Sequence, residues 1–246
     1  MKNLRLLCLA ALVAPAFSSA APADDVKAAA KKLADAPNFS WTQTSEIANA
    51  QFTPGPVKGQ TEKDGYTVIT REFNGNSSQT VRKGDKVALQ NFQTGEWMTR
   101  EEMMAQFQGG GGGGGAARGG RGGGGGGGMF GVQTPADDLG ALVSEVKELK
   151  SADGALTGDL TEEGAAQRLS FGGFGRGGQT PPKNATGSVK IWLKDGAVAK
   201  YQIHVKGTVN GRNGEQERDV TTTTEIKDVG STKVTVPEEA KKKLGA

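Results

Sequence analysis

Cysteine and histidine occur once each in 246 residues, as Cys8 and His204, and Cys8 falls in the apolar stretch that opens the chain. Setting that stretch aside excludes disulfides, thiol nucleophiles and cysteine-held metals. His204 has no second histidine or cysteine with which to share a metal. Strand alternation sets it opposite Tyr201, Ile203 and Val205, among Lys200, Gln202 and Lys206, so it reads as an exposed strand histidine. The sequence therefore offers no catalytic residue, no metal ligand and no cofactor site, and an enzyme is not expected.

A dominant charge sign is also missing. Lys and Arg number 30 against 27 Asp and Glu, and removing Lys2 and Arg5 with the leader leaves 28 against 27. That balance does not suit nucleic-acid binding. Arg118 and Arg121 sit among glycines as in RGG segments, but no aromatic residues interleave to stack on bases. Nor does a Lys-Ser/Thr follow the glycines, as a phosphate loop would require.

Long apolar runs are absent beyond Leu6 to Phe17, which is too short to span a bilayer. Lys2 and Arg5 precede it, and Ser18 and Ala20 follow with small-x-small spacing. Residues 1–20 read as a signal peptide cleaved after Ala20, with Ala21-Pro22-Ala23 as a second site. Cys8 lies too early for a lipid anchor. The mature chain has no transmembrane segment and is expected in the periplasm or secreted.

Glycine, by contrast, is abundant. Sixteen of the twenty residues from Gly109 to Gly128 are glycine, a run with nothing to bury and a large entropy to lose on folding, so 109–128 reads as a disordered insertion. Phe171 to Lys183 reads as a second flexible insertion. The remainder suffices for one domain, 24–246, because neither half alone has enough apolar residues for a secure core.

The halves begin alike. Asp25 to Ala36 has helical spacing, with Asp24 or Asp25 as cap and Pro37 as stop; Asn38 to Ile47 then alternates as a half-buried strand. A meander follows through Val57–Glu62, Tyr66–Phe73, Gln79–Arg82 and Lys86–Phe92 to Trp97, divided by Asp-Gly and Asn-Gly turns. Arg100 to Gln108 reads as a short helix. Beyond the glycines, Thr134 caps a helix with Pro135 at its first position and Leu139, Leu142, Val143 and Val146 as its stripe. Two short strands flank Gly154, and Thr161 to Leu169 suits either helix or strand. Strands at Ser188–Leu193, Val198–Lys206, Arg218–Ile226 and Lys233–Val236 precede a basic helix from Pro237 to Leu244. Gly59-x-Thr61-Glu62-x-x-Gly65 and Gly158-x-x-Thr161-Glu162-x-Gly164 form a weak internal match, equally consistent with duplication and with chance. Acidic pairs such as Glu101-Glu102 and Asp137-Asp138 open helices and read as caps.

The early helix, Asn38-Phe39-Ser40-Trp41, Lys63-Asp64-Gly65, the second helix, Val189 to Gly196 and Val234-Thr235-Val236-Pro237 together resemble the periplasmic lipoprotein-carrier superfamily, the LolA/LppX-like fold. The resemblance implies an α+β, mainly β architecture: an incomplete antiparallel β-barrel, or half-barrel, with helices covering its concave face. It also implies an apolar cavity for a lipid, an acyl chain or a lipoprotein ligand. Phe39, Trp41, Tyr66, Val68, Val87, Leu89, Ile191, Tyr201 and Ile203 are the alternating positions expected to face inward, as core, as ligand lining, or both. The alternative is an envelope interaction or structural protein that meets a partner protein through its glycine-rich loops, with Met129 and Phe130 as an apolar tip.

Overall fold

The computed structural model describes residues 21–50, 53–73, 75–109, 133–171, 181–211 and 214–245. Residues 1–20, expected to be a signal peptide, the glycine tract beyond Gly109 and residues 172–180 of the second insertion lie outside them.

Helix α1 (Pro22–Ala34) starts earlier than its apolar spacing predicts. Pro22 brings a helical φ of its own, and neither Asp24 nor Asp25 caps the start; both lie in the first turn, against the positive end of the dipole. Val26, Ala29, Ala30 and Leu33 form its buried stripe. Strands β1 (Asn38–Ile47), β2 (Val57–Glu62), β3 (Tyr66–Phe73), β4 (Asn76–Lys83), β5 (Lys86–Gln90) and β6 (Trp97–Thr99) then run as a meander. Asp64, at φ 57°, takes the left-handed position in the β2–β3 turn. Helix α2 (Arg100–Gly109) opens with a reciprocal cap, in which Thr99 N donates to Glu102 and Glu102 N donates to Thr99 Oγ1.

The second half repeats the plan. Helix α3 (Pro135–Glu145) carries the expected Thr134 cap, made reciprocal by Asp137. Strands β7 (Lys150–Ala152) and β8 (Ala155–Asp159) follow, and then the ambiguous segment resolves as helix α4 (Glu162–Phe171), where Gly164 N donates to Thr161 Oγ1. Three long strands, β9 (Lys183–Lys194), β10 (Ala197–Gly211) and β11 (Gly214–Lys227), precede α5 (Glu238–Leu244). Phe171 thus closes a helix and Lys183 opens a strand, so the second insertion is narrower than predicted. The weak internal match has no structural counterpart, because Thr61-Glu62 ends a strand and Glu162 opens a helix.

All eleven strands join one antiparallel sheet in the order β6-β5-β4-β3-β2-β1-β11-β10-β9-β8-β7. The two meanders meet at β1 and β11, from Ser40 opposite Lys227 to Ile47 opposite Val220. Strands from both sides of the glycine tract therefore share a ladder. Lys233–Val236 is not a strand. The places beside β11 are taken by β1 and β10, while Thr232 is tied to the Asn38 side chain and the Asp228 carbonyl, which turns the chain out of the sheet.

Alternation gives the sheet two buried faces. The concave face carries the main core, in which Leu139 and Leu142 of α3 and Val26 of α1 meet Val189 and Ile191, all essentially inaccessible. Each such aliphatic side chain contributes about 2 kcal/mol through burial. Close approach is needed at two strand glycines. A Cβ on Gly207 would come within 2.8 Å of Leu169 Cδ1, and one on Gly59 within 2.0 Å of the Trp41 ring, which lies flat over that strand. The opposite face carries a smaller cluster of Val68, Val81, Ala88 and Trp97 beneath Ala240 and Leu244 of α5. Among the described residues no helix is long and apolar enough to cross a membrane.

Candidate functional site

Helices α1, α3 and α4 concentrate on the strands of the second half, where α1 meets β10 and α4 meets β9 and β10. Toward β1, β2 and β3 the concave face is left partly uncovered. There a cavity of about 430 Å³ opens between these strands, β10, β11, the start of α3 and the end of α4. Its apolar walls come from Trp41, Ile69, Ile203, Val205 and Val220 on the sheet and Leu169 on α4. Polar groups enter from the helix side, from Ser45, Thr222 and Arg218 on the sheet, and along one cross-strand row. Arg71, Val57, Gln43, Thr224 and Tyr201 are successive register partners across five strands, and all five line the cavity. Thr224 is 2% exposed, and its hydroxyl acts on the Tyr201 phenol beside it, drawing that group's pKa down against the effect of burial.

One wall is held by a buried polar cluster. Arg168 donates from Nε to Glu145 at 2.5 Å and from Nη1 to Asp138 at 3.0 Å, while the Tyr201 hydroxyl donates to the other Asp138 oxygen at 2.8 Å. The three charged side chains are only 16–18% exposed. Burial alone pushes the Arg168 guanidinium down, but Asp138 and Glu145 outweigh it and the net direction is up. Burial also pushes the Tyr201 phenol well above its ordinary value, and the Asp138 charge adds to that. The cluster pins α4 to α3 and both helices to β10. Arg82 of β4 also reaches Asp137 at the start of α3, Nη2 to Oδ2, at 3.9 Å.

Of the residues expected to face inward, Trp41, Tyr201 and Ile203 line this cavity. Phe39 packs beside Trp41, ring centroids 5.6 Å apart, but is core and does not reach the wall. Ile191 is wholly buried in the main core, and Val87 packs at its margin. Leu89 is buried in the row that runs through Thr80, Ile69 and Gly59 to Trp41. Tyr66 and Val68 face the other way, against the α5 cluster, and that expectation is corrected. The physical reason lies in β3, where Val68 and Ile69 are both buried because both sheet faces are covered. Alternation then has no polar parity to orient it, and the inward set is Thr67, Ile69 and Arg71.

Sequence reading missed Arg71, Arg168, Asp138 and Leu169. Asp138 was assigned to capping, but Asp137 makes the cap and Asp138 turns inward. The available signal was the spacing of Asp138 and Glu145, seven residues apart and flanking the Leu142 stripe, which sets two carboxylates on one helix face. His204 lies on the convex face, partly exposed, 2.8 Å from Asp219. Among the described residues no group of three or more His, Cys, Asp or Glu could hold a metal ion.

No family model matches the chain, and no curated protein matches it. Solved structures do. The lipoprotein LppX from Mycobacterium tuberculosis aligns at 9% identity over 88% of this chain and 98% of that one, with a TM-score of 0.43. LprF from Mycobacterium bovis aligns at 10% identity over 89% and 97%, TM-score 0.43. A LolA superfamily protein from Nitrosomonas europaea aligns at 8% identity over 88% and 96%, TM-score 0.34. The chain's own architecture, a mainly β, open antiparallel sheet with helices on its concave face, is the half-barrel expected from the sequence.

Proposed function

We propose that this protein is an exported, non-catalytic carrier that shelters a lipid, an acyl chain or a lipidated partner in its concavity. The observation that carries this reading is the cavity of about 430 Å³. It falls within the ~300–1,000 Å³ of small-ligand sites and combines apolar walls with a few convergent polar groups, the composition such sites share. A packed core would have closed this space, since a void on this scale forfeits dispersion contacts along its whole lining. Arg168 and Tyr201 tie α3 and α4 to β10 along one wall of this space.

The same reading treats residues 24–246 as one domain in the periplasm or beyond, delivered by cleavage after Ala20. The shared ladder between β1 and β11 supports the single domain. Limited proteolysis within the glycine tract is expected to leave the two pieces associated, and release of two separately folded halves would overturn it. The alternative of contacts made through the glycine-rich loops falls on residues outside those described.

For ligand carriage, the mature protein incubated with a membrane extract and examined by native mass spectrometry is expected to retain an amphiphile of a few hundred daltons. A ligand-free spectrum, with no change in stability on delipidation, would overturn the proposal.

A further inference from the structure

Two guanidinium side chains line the cavity outside the helix-pinning cluster, Arg71 and Arg218, and Arg218 donates from Nη2 to Gln216 Oε1 at 3.4 Å. The neighbour of Arg71, Glu72, points to the opposite face and pairs with Lys58 at 3.2 Å. On the cavity side, Asp138 is the only carboxylate among the described lining residues, and it is occupied by Arg168 and Tyr201. Among the described residues Arg71 makes no ion pair; its one hydrogen bond runs from Nη1 to Thr80 Oγ1 at 3.3 Å. Burial pushes its guanidinium down from the ordinary value, and no neighbouring carboxylate pulls it back. Holding a cation half out of water without a counter-charge is unfavourable for the empty protein. The same row continues from Arg71 through Val57 and Gln43 to the buried Thr224 and Tyr201. One side of the cavity is apolar, and the other presents the Arg71 guanidinium, held by Thr80 alone, with Gln43, Thr224 and the Arg218 side chain also on the lining.

Resting on the acyl-chain reading above, we infer that the cavity selects acidic amphiphiles, whose carboxylate or phosphate head meets Arg71 while the chain lies against Trp41, Ile69, Ile203 and Leu169. A guanidinium matches both heads bidentately, and a charge-assisted pair shielded from water is about twice as strong as a neutral one. An uncharged head of equal size would leave the cation as it is in the empty protein.

The test compares palmitate, hexadecyl phosphate and hexadecanol binding to the full mature chain by calorimetry, with inorganic phosphate as the chain-free control. Both acids are expected to bind at least about tenfold more tightly than the alcohol, the ratio that one charge-assisted hydrogen bond supplies. Arg71→Met is expected to shrink the ratio of acid to alcohol affinity severalfold, and an unchanged ratio overturns the assignment of the head to Arg71; Arg71→Lys, which keeps the charge but loses the fork, is expected to retain part of the preference. The wild-type comparison stands even if Arg71→Met fails to fold. Equal binding of acid and alcohol overturns this inference and leaves the acyl-chain reading intact. Failure of all three chain-bearing probes overturns both. Inorganic phosphate binding as tightly as hexadecyl phosphate overturns the lipid-head assignment in favour of a plain anion site.

Discussion

The two meanders start from the same alternation, but among the described residues only the first also packs a helix on its outward face. In β7–β11 the inward residues, Val189, Ile191, Tyr201 and Ile203 among them, meet α1, α3 and α4 and close into the main core. In β3–β6 the main investment is on the outward face, where Val68, Val81, Ala88 and Trp97 pack beneath α5. The inward face of β1–β3 is left to a cavity. The difference teaches that a strand's pattern specifies two faces but not which one receives a helix. The placement of α5, the last element of the chain, gives the first meander its outward core.

The largest effect that could break this comparison is expected in the covered half. Leu142 is inaccessible at the centre of α3, and Leu142→Ala is expected to cost about 3 kcal/mol in denaturant unfolding, through lost burial plus an unfilled void. Ile69→Ala in the open half should cost visibly less, because that side chain already borders free space. Equal losses would mean the cavity is as well packed as the core.

An intermediate effect is expected at Gly59. A side chain there would meet the Trp41 ring, so Gly59→Val is expected to cost about 2 kcal/mol and to push the indole into the cavity. Ligand binding should weaken with it, along with a shift in tryptophan emission. Unchanged emission and affinity would show that Trp41 does not form the floor.

The smallest effect sharpens the role of the pinning cluster. The folded state holds Tyr201 protonated to a higher pH than the unfolded chain does, since burial, with Asp138 beside it, raises the phenol. Its contribution is therefore complete below the unfolded value of about 10 and is lost as pH rises through the higher folded value. Tyr201→Phe is expected to lower stability at neutral pH by about 1 kcal/mol, the hydrogen bond to Asp138, and to flatten the fall in stability above pH ~10. An alkaline slope identical in both proteins would remove Tyr201 from the account.

Much of the fold was legible where one local signal acted alone. Asn38–Ile47 alternates between a packed and a wetter face, and its limits were read to the residue. Thr134 and Pro135 announce α3 equally plainly. Legibility failed where tertiary context supplied the decision. Lys233–Val236 has strand composition, but no ladder position is free to receive it. Val68 and Ile69 are adjacent and both apolar, so only α5 and the cavity distinguish them. The site was less legible than the fold for a related reason. Arg71, Asp138 and Arg168 are polar residues whose inward turn depends on partners distant in sequence, and a local reading assigns such residues to solvent or to caps.

The central ladder also has a kinetic side. Ser40 and Lys227, joined there by hydrogen bond, stand 187 residues apart. Each meander can zip from neighbouring hairpins, so the joining of β1 to β11 carries the highest contact order and is expected to set the folding rate. Its closure entropy depends only logarithmically on the intervening length. Deleting the twenty residues from Gly109 to Gly128 would ease that closure by only about 0.1 kcal/mol. Closure entropy therefore sets almost no limit on the length of the tract.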